Sequence, residues 1–225
     1  MNAPAYTPER RPIRSREWNC SHRTAGWLAR RGVTANTISA SGMVCGVLAG
    51  LALALTSRPG WERGGFLVAA AFMQLRLQAN MLDGMVALAT RTASPVGELY
   101  NEVPDRVADT AIFLGAGAAA GSLPMLGALT ACVALFVAYV RAEGKVAGAA
   151  QQFCGPMAKQ QRMATVTVVS LYCSLAPRAW QPQVSVGGHE CGLMAGALGL
   201  IIIGGIWTAL RRLRRIARQL RNPAP

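Results

Sequence analysis

The chain has 225 residues, of which 52% are hydrophobic and 15% are charged, and its formal net charge is +13. This composition is too apolar for an ordinary soluble domain of that length and is typical of a multi-pass membrane protein. The basic residues flank apolar runs and accompany no nucleic-acid-binding motif, so we expect anionic lipid headgroups and no nucleic acid as their partners.

The first 33 residues form a polar, basic segment that also contains tryptophans. Its arginines are Arg10, Arg11, Arg14, Arg16, Arg23, Arg30 and Arg31. We expect an amphipathic helix on the cytoplasmic membrane surface from about Arg14 onward, and the alternative is a disordered basic tail.

Six apolar stretches follow, each of roughly the length that a helix needs to cross a hydrocarbon core about 30 Å thick. The predicted spans are 35–56, 64–84, 98–120, 123–142, 160–177 and 191–210. The predicted fold class is all-α integral membrane, with a six-helix transmembrane domain over 34–212 and a basic cytoplasmic tail over 213–225. Gly42, Gly46 and Gly50 recur at four-residue steps, which favours close helix packing within one protomer.

The distribution of basic residues predicts the orientation. An even number of spans places both termini on one side, and that side holds eighteen Arg and Lys residues against three on the other. Cytoplasmic loops carry the excess of positive charge in membrane proteins. We therefore expect both termini to lie in the cytoplasm.

Half of the ten acidic residues lie within residues 80–109. A carboxylate near membrane depth costs several kcal/mol unless it is paired, so the cluster indicates a bound metal or substrate. With a break at Ser94-Pro95 between two helices, small and oxygen-bearing residues fall on two stripes. The stripes are Asn80, Asp83, Gly84 and Ala87 on the first helix, and Gly97, Asn101, Asp105 and Asp109 on the second. Mg²⁺ binds such oxygen ligands together with substrate phosphates.

This segment resembles the signature of the CDP-alcohol phosphatidyltransferases, Asp-x2-Asp-Gly-x2-Ala-Arg, then eight or nine residues, then Gly-x3-Asp-x3-Asp. The positions that match are Asp83, Gly84, Ala87, Gly97 and Asp105. The departures are Asn80 and Asn101 in place of the first and third aspartates, and Leu88 in place of the arginine. Residues 33–39 are also similar to the Thr-Pro-Asn-x-Ile-Thr opening of the family's first span.

The resemblance implies a transferase of phospholipid biosynthesis, which moves a phosphatidyl group from CDP-diacylglycerol to an alcohol acceptor and releases CMP. It implies that Asp83 and Asp105 bind Mg²⁺ or Mn²⁺, and that Asp105 takes the proton from the attacking hydroxyl. Gly84, Ala87 and Gly97 are the implied substrate-binding positions, the first two beside the cytidine. The family habit also suggests a homodimer in the lipid bilayer.

The departures change the charge of the implied site. Asn80 and Asn101 remove two negative charges, although their amides still offer oxygen ligands. Two metal ions are then harder to hold than one, and Asp109 and Glu98 are the two candidate carboxylates that compensate for the lost charge. Arg91, three residues after Leu88, is the candidate replacement for the missing arginine.

Four basic residues near the cluster each have two interpretations. Arg141, Lys159 and Arg162 lie in the predicted cytoplasmic loop, where they either hold a phosphate on the acceptor or only follow the positive-inside pattern. Arg76 lies one helical turn before Asn80, where it either replaces a cation of the site or forms an interhelical salt bridge.

Two other functions stay open at this point. One is a catalytically silent family member that binds a CDP-lipid or a partner enzyme, and the other is a small membrane transporter that matches the signature by chance. The sequence does not specify the acceptor, since glycerol 3-phosphate, inositol phosphate, serine and another lipid are all compatible with it.

Overall fold

The computed structural model describes residues 17–222, which form seven α-helices and one short β-hairpin. The helices are α1 (Asn19–Arg30), α2 (Ala35–Leu55), α3 (Glu62–Ala89), α4 (Pro95–Gly117), α5 (Pro124–Val146), α6 (Lys159–Leu175) and α7 (Leu193–Arg221). The hairpin strands are β1 (Val184–Val186) and β2 (His189–Cys191), preceded by a short 3-10 turn at Arg178–Trp180. The predicted all-α class is confirmed, with the hairpin as a minor addition.

Helix α1 corresponds to the predicted amphipathic segment. It begins at Asn19, and the earlier part of the predicted helix, from Arg14 to Arg16, lies outside the described residues. Trp18 and Trp27 are exposed, whereas Ala25 is buried in a small apolar cluster with Ile38 of α2 and Val86 of α3. The packing of one apolar face and the exposure of tryptophan on another agree with an amphipathic helix.

Helices α2 to α7 fall on the six predicted spans, and consecutive helices run in alternating directions. Within residues 17–222, α2, α5 and α7 are long and apolar enough to cross a membrane. Helices α3 and α4 carry several charged residues, and α6 has 17 residues. The structure therefore supports three crossings by length and composition, and the six-span count stays a prediction.

The glycines of α2 bring its backbone against that of α4. A Cβ atom at Gly50 would overlap the carbonyl oxygen of Ala111, and one at Gly115 would overlap the backbone of Gly50. A Cβ at Gly46 would overlap Ala108, next to the acidic stripe. These contacts lie within one protomer, as the four-residue glycine pattern predicts, and they leave no room for a side chain between the two helices.

Side-chain caps fix where α2 and α4 begin. The backbone N–H of Gly97 donates to Ser94 Oγ at 3.1 Å, and Pro95 occupies the first turn, where its missing N–H costs nothing. At α2 the backbone N–H of Thr37 donates to Thr34 Oγ1 at 3.2 Å. Helix α2 begins at the predicted residue 35, whereas α4 begins at Pro95, three residues before the predicted span 98–120 and directly after the predicted break.

The hairpin between α6 and α7 is absent from the sequence prediction, which leaves residues 178–190 as a loop between the fifth and sixth spans. Val186 pairs with His189, and Gly187 and Gly188 form the turn with φ values of 59° and 82°. Positive φ at two successive residues is the conformation that glycine adopts without strain. The backbone N–H of Gly192 donates to the carbonyl oxygen of Gly121 at 2.8 Å, which ties this region to the turn between α4 and α5.

Candidate active site

An open cavity of about 1010 Å³ lies where α2, α4 and α6 begin and α3 and α5 end. Ten of the predicted site residues line it, from four different helices: Asn80, Asp83, Gly84, Ala87, Gly97, Asn101, Asp105, Arg141, Lys159 and Arg162. Asp109, the predicted additional ligand, does not line this cavity. The two stripes of the signature therefore meet at a shared space.

Asp105 is the most heavily contacted carboxylate of the site. Asn80 Nδ2 donates to both of its oxygens at 2.9 Å. Arg76 Nη2 donates to Oδ1 at 3.2 Å, and Lys159 Nζ is in contact with Oδ2. Charge-assisted hydrogen bonds of this kind are stronger than neutral ones. Asp105 is thus held by one amide and two cations from α3 and α6.

Asp109 lies beneath the cavity in a buried ion pair. Arg76 Nη2 donates to Asp109 Oδ1 at 2.5 Å, and the two side chains are 1% and 2% exposed. Arg162 Nη2 lies 3.7 Å from the other carboxylate oxygen of Asp109. Of the two interpretations of Arg76, the structure supports the interhelical salt bridge, which extends to Asp105 at the wall of the cavity.

Asp83 has a hydroxyl partner that the sequence analysis does not assign. Ser39 Oγ, from α2, donates to Asp83 Oδ2 at 2.7 Å, and both residues are buried. Ser39 is the last residue of the stretch 33–39 that resembles the opening of the family's first span. That resemblance was the available signal for Ser39, but it does not reveal which residue the hydroxyl contacts.

The remaining signature positions form the uncharged part of the wall. Gly84 is buried, and Ala87, Gly97 and Asn101 are half-buried. Leu88, which stands where the signature has arginine, is 55% exposed. Arg91 is also exposed and does not line the cavity. That Arg91 replaces the missing arginine therefore stays a prediction. Its φ of 55° places it in the turn after α3, and the residues that follow it, from Thr92 to Ser94, line the cavity.

The three predicted phosphate-binding cations each contact a carboxylate. Arg141 Nη2 donates to Glu102 Oε1 at 2.5 Å and lies over the ring of Phe153 at 5.8 Å. Lys159 contacts Asp105, and Arg162, 1% exposed, donates to the carbonyl oxygen of Met157 at 3.1 Å. The cavity wall is therefore a set of paired opposite charges, in which these cations already have anionic partners.

The donor set fits one divalent cation better than two. Among residues 17–222, no group of three or more His, Cys, Asp and Glu side chains is placed to hold a metal ion. Mg²⁺ commonly binds to one or two carboxylates together with substrate phosphates. Asp83 and Asp105 supply the carboxylates for one such ion, whereas the Asn80 amide turns its N–H toward Asp105 and the cations on Asp105 oppose a second ion.

The sequence matches known proteins over most of its length. Residues 32–206 match the family model described as CDP-alcohol phosphatidyltransferase. The inner membrane protein YnbA of Escherichia coli is 24% identical over 193 residues, which cover 86% of this chain and 89% of YnbA. A phosphatidylinositol phosphate synthase of Streptomyces avermitilis is 28% identical over 201 residues, which cover 87% of this chain and 77% of the synthase.

Solved structures of the phosphatidylinositol phosphate synthase PgsA1 of Mycobacterium tuberculosis share the fold. The complex with manganese and citrate has a TM-score of 0.70 at 17% identity and covers 88% of both chains. The form with CDP-DAG bound has a TM-score of 0.68 at 16% identity and covers 88% of this chain and 94% of PgsA1. The chain therefore belongs to the CDP-alcohol phosphatidyltransferase family, whose members are membrane transferases of phospholipid biosynthesis.

Proposed function

We propose that this protein transfers a phosphatidyl group from CDP-diacylglycerol to an alcohol acceptor and releases CMP. The observation that carries the proposal is the meeting of Asp83 and Asp105, from two helices, in one open cavity with the family's spacing. The cavity volume of about 1010 Å³ is sufficient for a nucleotide headgroup. PgsA1 with CDP-DAG bound has the same fold, which supports the choice of donor.

The uncharged wall is the proposed place for the cytidine. Gly84, Ala87 and Gly97 present small side chains or none, so a flat base can approach the backbone closely. The diphosphate then lies toward Asp83 and Asp105. This arrangement leaves the lipid tails at the membrane and the nucleotide at the polar end of the bundle.

The proposed chemistry uses Asp105 as the general base. Asp105 takes the proton of the acceptor hydroxyl, the acceptor oxygen bonds to the phosphorus of the phosphatidyl group, and the bond from that phosphorus to CMP breaks. Asp83 and Asp105, with the amide oxygen of Asn101, would hold one Mg²⁺ or Mn²⁺, and Asn80 would join them once its amide turned its oxygen, instead of its N–H, toward the ion. Such an ion supplies positive charge to the diphosphate. Ser39 keeps the Asp83 carboxylate in one orientation through its 2.7 Å hydrogen bond.

Arg141 is the proposed contact for a phosphate on the acceptor. Its side chain is 22% exposed at the cavity, and a phosphate can replace Glu102 as its partner. Arg162 is too deeply buried for such a role, and its contacts with Asp109 and the Met157 carbonyl suit positioning of the α6 start. We also propose a homodimer, in keeping with the family habit.

The proposed membrane arrangement has six crossings with both termini in the cytoplasm. The alternating directions of α2 to α7 and the excess of basic residues at the cavity end support it. Charged residues of α3 and α4, such as Arg76 and Asp109, are buried against each other, so those helices can cross without exposing them to lipid. The proposed divisions are the basic segment 1–33, the transmembrane domain 34–212 and the basic tail 213–225.

The experiment that tests the function is CMP release by the purified protein in detergent. The protein is supplied with CDP-diacylglycerol, Mg²⁺ or Mn²⁺, and a panel of acceptors that includes glycerol 3-phosphate, inositol phosphate and serine. We expect release that requires the divalent ion and one acceptor. Absence of release with every acceptor, together with retained binding of CDP-diacylglycerol, would indicate a silent family member, for which Asn80 and Asn101 give the chemical reason.

A further inference from the structure

Lys159 differs from the other cation at Asp105 in its access to the cavity. Arg76 is 1% exposed, does not line the cavity and is fixed between two carboxylates. Lys159 lines the cavity, is 20% exposed and reaches Asp105 from α6. One cation is therefore a fixed part of the helix seam, and the other faces the space where substrate binds.

The contacts of Asp105 leave little room for a metal ion beside it. Asn80 turns its N–H toward both carboxylate oxygens, so its donor rather than its acceptor faces Asp105. A divalent ion at Oδ2 has to displace the Lys159 ammonium, which repels it as a like charge. An aspartate at position 80 would add a negative charge that favours the ion, and the chain has asparagine there.

Lysine is suited to exchange partners. Its ammonium is a point charge with three donors on a flexible stem, and it can move between two anions without the planar geometry that arginine requires. The diphosphate of a CDP-lipid is a competing anion in the same cavity. The ammonium can therefore leave Asp105 when the nucleotide binds, which frees the carboxylate oxygen.

Building on the proposed function, we propose that Lys159 is a built-in cation of the nucleotide site. Its ammonium pairs with Asp105 and exchanges that partner for the diphosphate when a CDP-lipid binds. Recognition of the CDP group is then partly independent of divalent metal, and Lys159 is a binding residue for the donor rather than for the acceptor.

The first test measures CDP binding to the full-length protein in detergent by titration calorimetry, with EDTA and with Mn²⁺. In EDTA we expect the wild type to bind CDP and Lys159→Met to bind on the order of tenfold to a hundredfold more weakly. Lys159→Arg keeps the positive charge but not the point-charge geometry, so it should bind CDP more tightly than Lys159→Met and less tightly than the wild type. Lys145→Met is the matched control, because Lys145 is the other lysine of the chain, pairs with Glu98 and does not line the cavity.

The second test counts bound Mn²⁺ by electron paramagnetic resonance without nucleotide. Removal of the competing ammonium should make Lys159→Met bind Mn²⁺ about tenfold or more tightly than the wild type. Lys159→Gln replaces Lys159→Met if the latter fails to fold. Equal CDP affinity of wild type and variant in EDTA, or unchanged Mn²⁺ affinity, would overturn the proposal. Neither readout needs turnover. CDP binding that depends on Lys159, without CMP release, would therefore contradict the proposed transferase function but support this inference.

Discussion

The two ends of the helix bundle differ in how closely the same helices pack. At one end, glycines bring backbones into direct contact, as with Gly50 and Gly115, and Gly117 and Gly127. At the other end, the helices separate around a cavity whose walls carry paired charges, including Asp105 with Lys159. Gly46 lies between these two ends of the bundle. It packs against Ala108, which is the chain neighbour of the buried Asp109.

This difference shows how the helix packing positions a polar site in an apolar chain. Buried charges attract or repel strongly, so small displacements of a helix change their energies greatly. The tight glycine contacts fix the spacing of α2 and α4 where no charge is present. That fixed spacing sets the position of Ser39 of α2, which holds Asp83, relative to Asp105 of α4, without requiring the charged residues to hold the fold together themselves.

Removal of the proposed base is expected to have the largest effect. Asp105→Ala removes the general base and a metal ligand, and CMP release should fall on the order of a thousandfold. The measurement is the rate of CMP release at saturating CDP-diacylglycerol. Glu62→Ala is the control, since Glu62 pairs with exposed Arg178 at the closed end. Full activity in Asp105→Ala would remove this residue from the catalytic step.

Substitution of the buried Arg76 tests how much its ion pair stabilises the fold. Arg76→Met leaves Asp109 buried without its main cation, and removal of one partner of a buried ion pair typically costs about 3–5 kcal/mol of folding free energy. The measurement is the midpoint of thermal unfolding in detergent. Arg178→Met, in an exposed pair, should change stability by less than about 1 kcal/mol. Equal shifts in both variants would contradict a structural role for Arg76.

A methyl group at the closed end tests the spacing argument. Gly50→Ala places a Cβ against the carbonyl oxygen of Ala111, and overpacking of this kind typically costs about 1–3 kcal/mol. We expect a lower unfolding midpoint together with reduced CMP release, because α2 and α4 move apart. Gly196→Ala is the control, since a Cβ there meets no atom within 4 Å. Lower stability with unchanged activity would show that the helix spacing at the closed end does not control the geometry of the site.

The hydroxyl that orients Asp83 should give the smallest effect. Ser39→Ala removes a hydrogen bond to a carboxylate, and we expect about a tenfold decrease in kcat/KM. Ser41→Ala on the same helix is the control, because the Ser41 hydroxyl donates to the Thr37 carbonyl and is exposed. A decrease of the same size in both variants would indicate a general effect on α2.

The sequence predicts the helices well because each depends on a local pattern. Apolar runs, the break at Ser94-Pro95 and the glycine steps of α2 are all readable within one segment. The hairpin at 184–191 is missed, because its strands are only three residues long and its residues are mostly exposed, so they carry no hydrophobic periodicity.

Within the site, the spacing brings the correct residues to one cavity but does not give their partners. The contacts of Lys159 with Asp105 and of Ser39 with Asp83 join residues 54 and 44 positions apart. Such pairings depend on how helices pack rather than on sequence spacing. For the same reason the two interpretations of Arg76 could be separated only when the positions of α3 and α4 were known.

The amide of Asn80 also constrains how this sequence can change over evolutionary time. Its N–H groups bond to both oxygens of Asp105, so a mutation to aspartate would set two carboxylates against each other unless a further positive charge were available. Substitutions at positions 80 and 159 are therefore expected to be epistatic. A lineage with aspartate at position 80 should therefore keep the lysine at position 159 unless a bound divalent ion supplies the positive charge in its place.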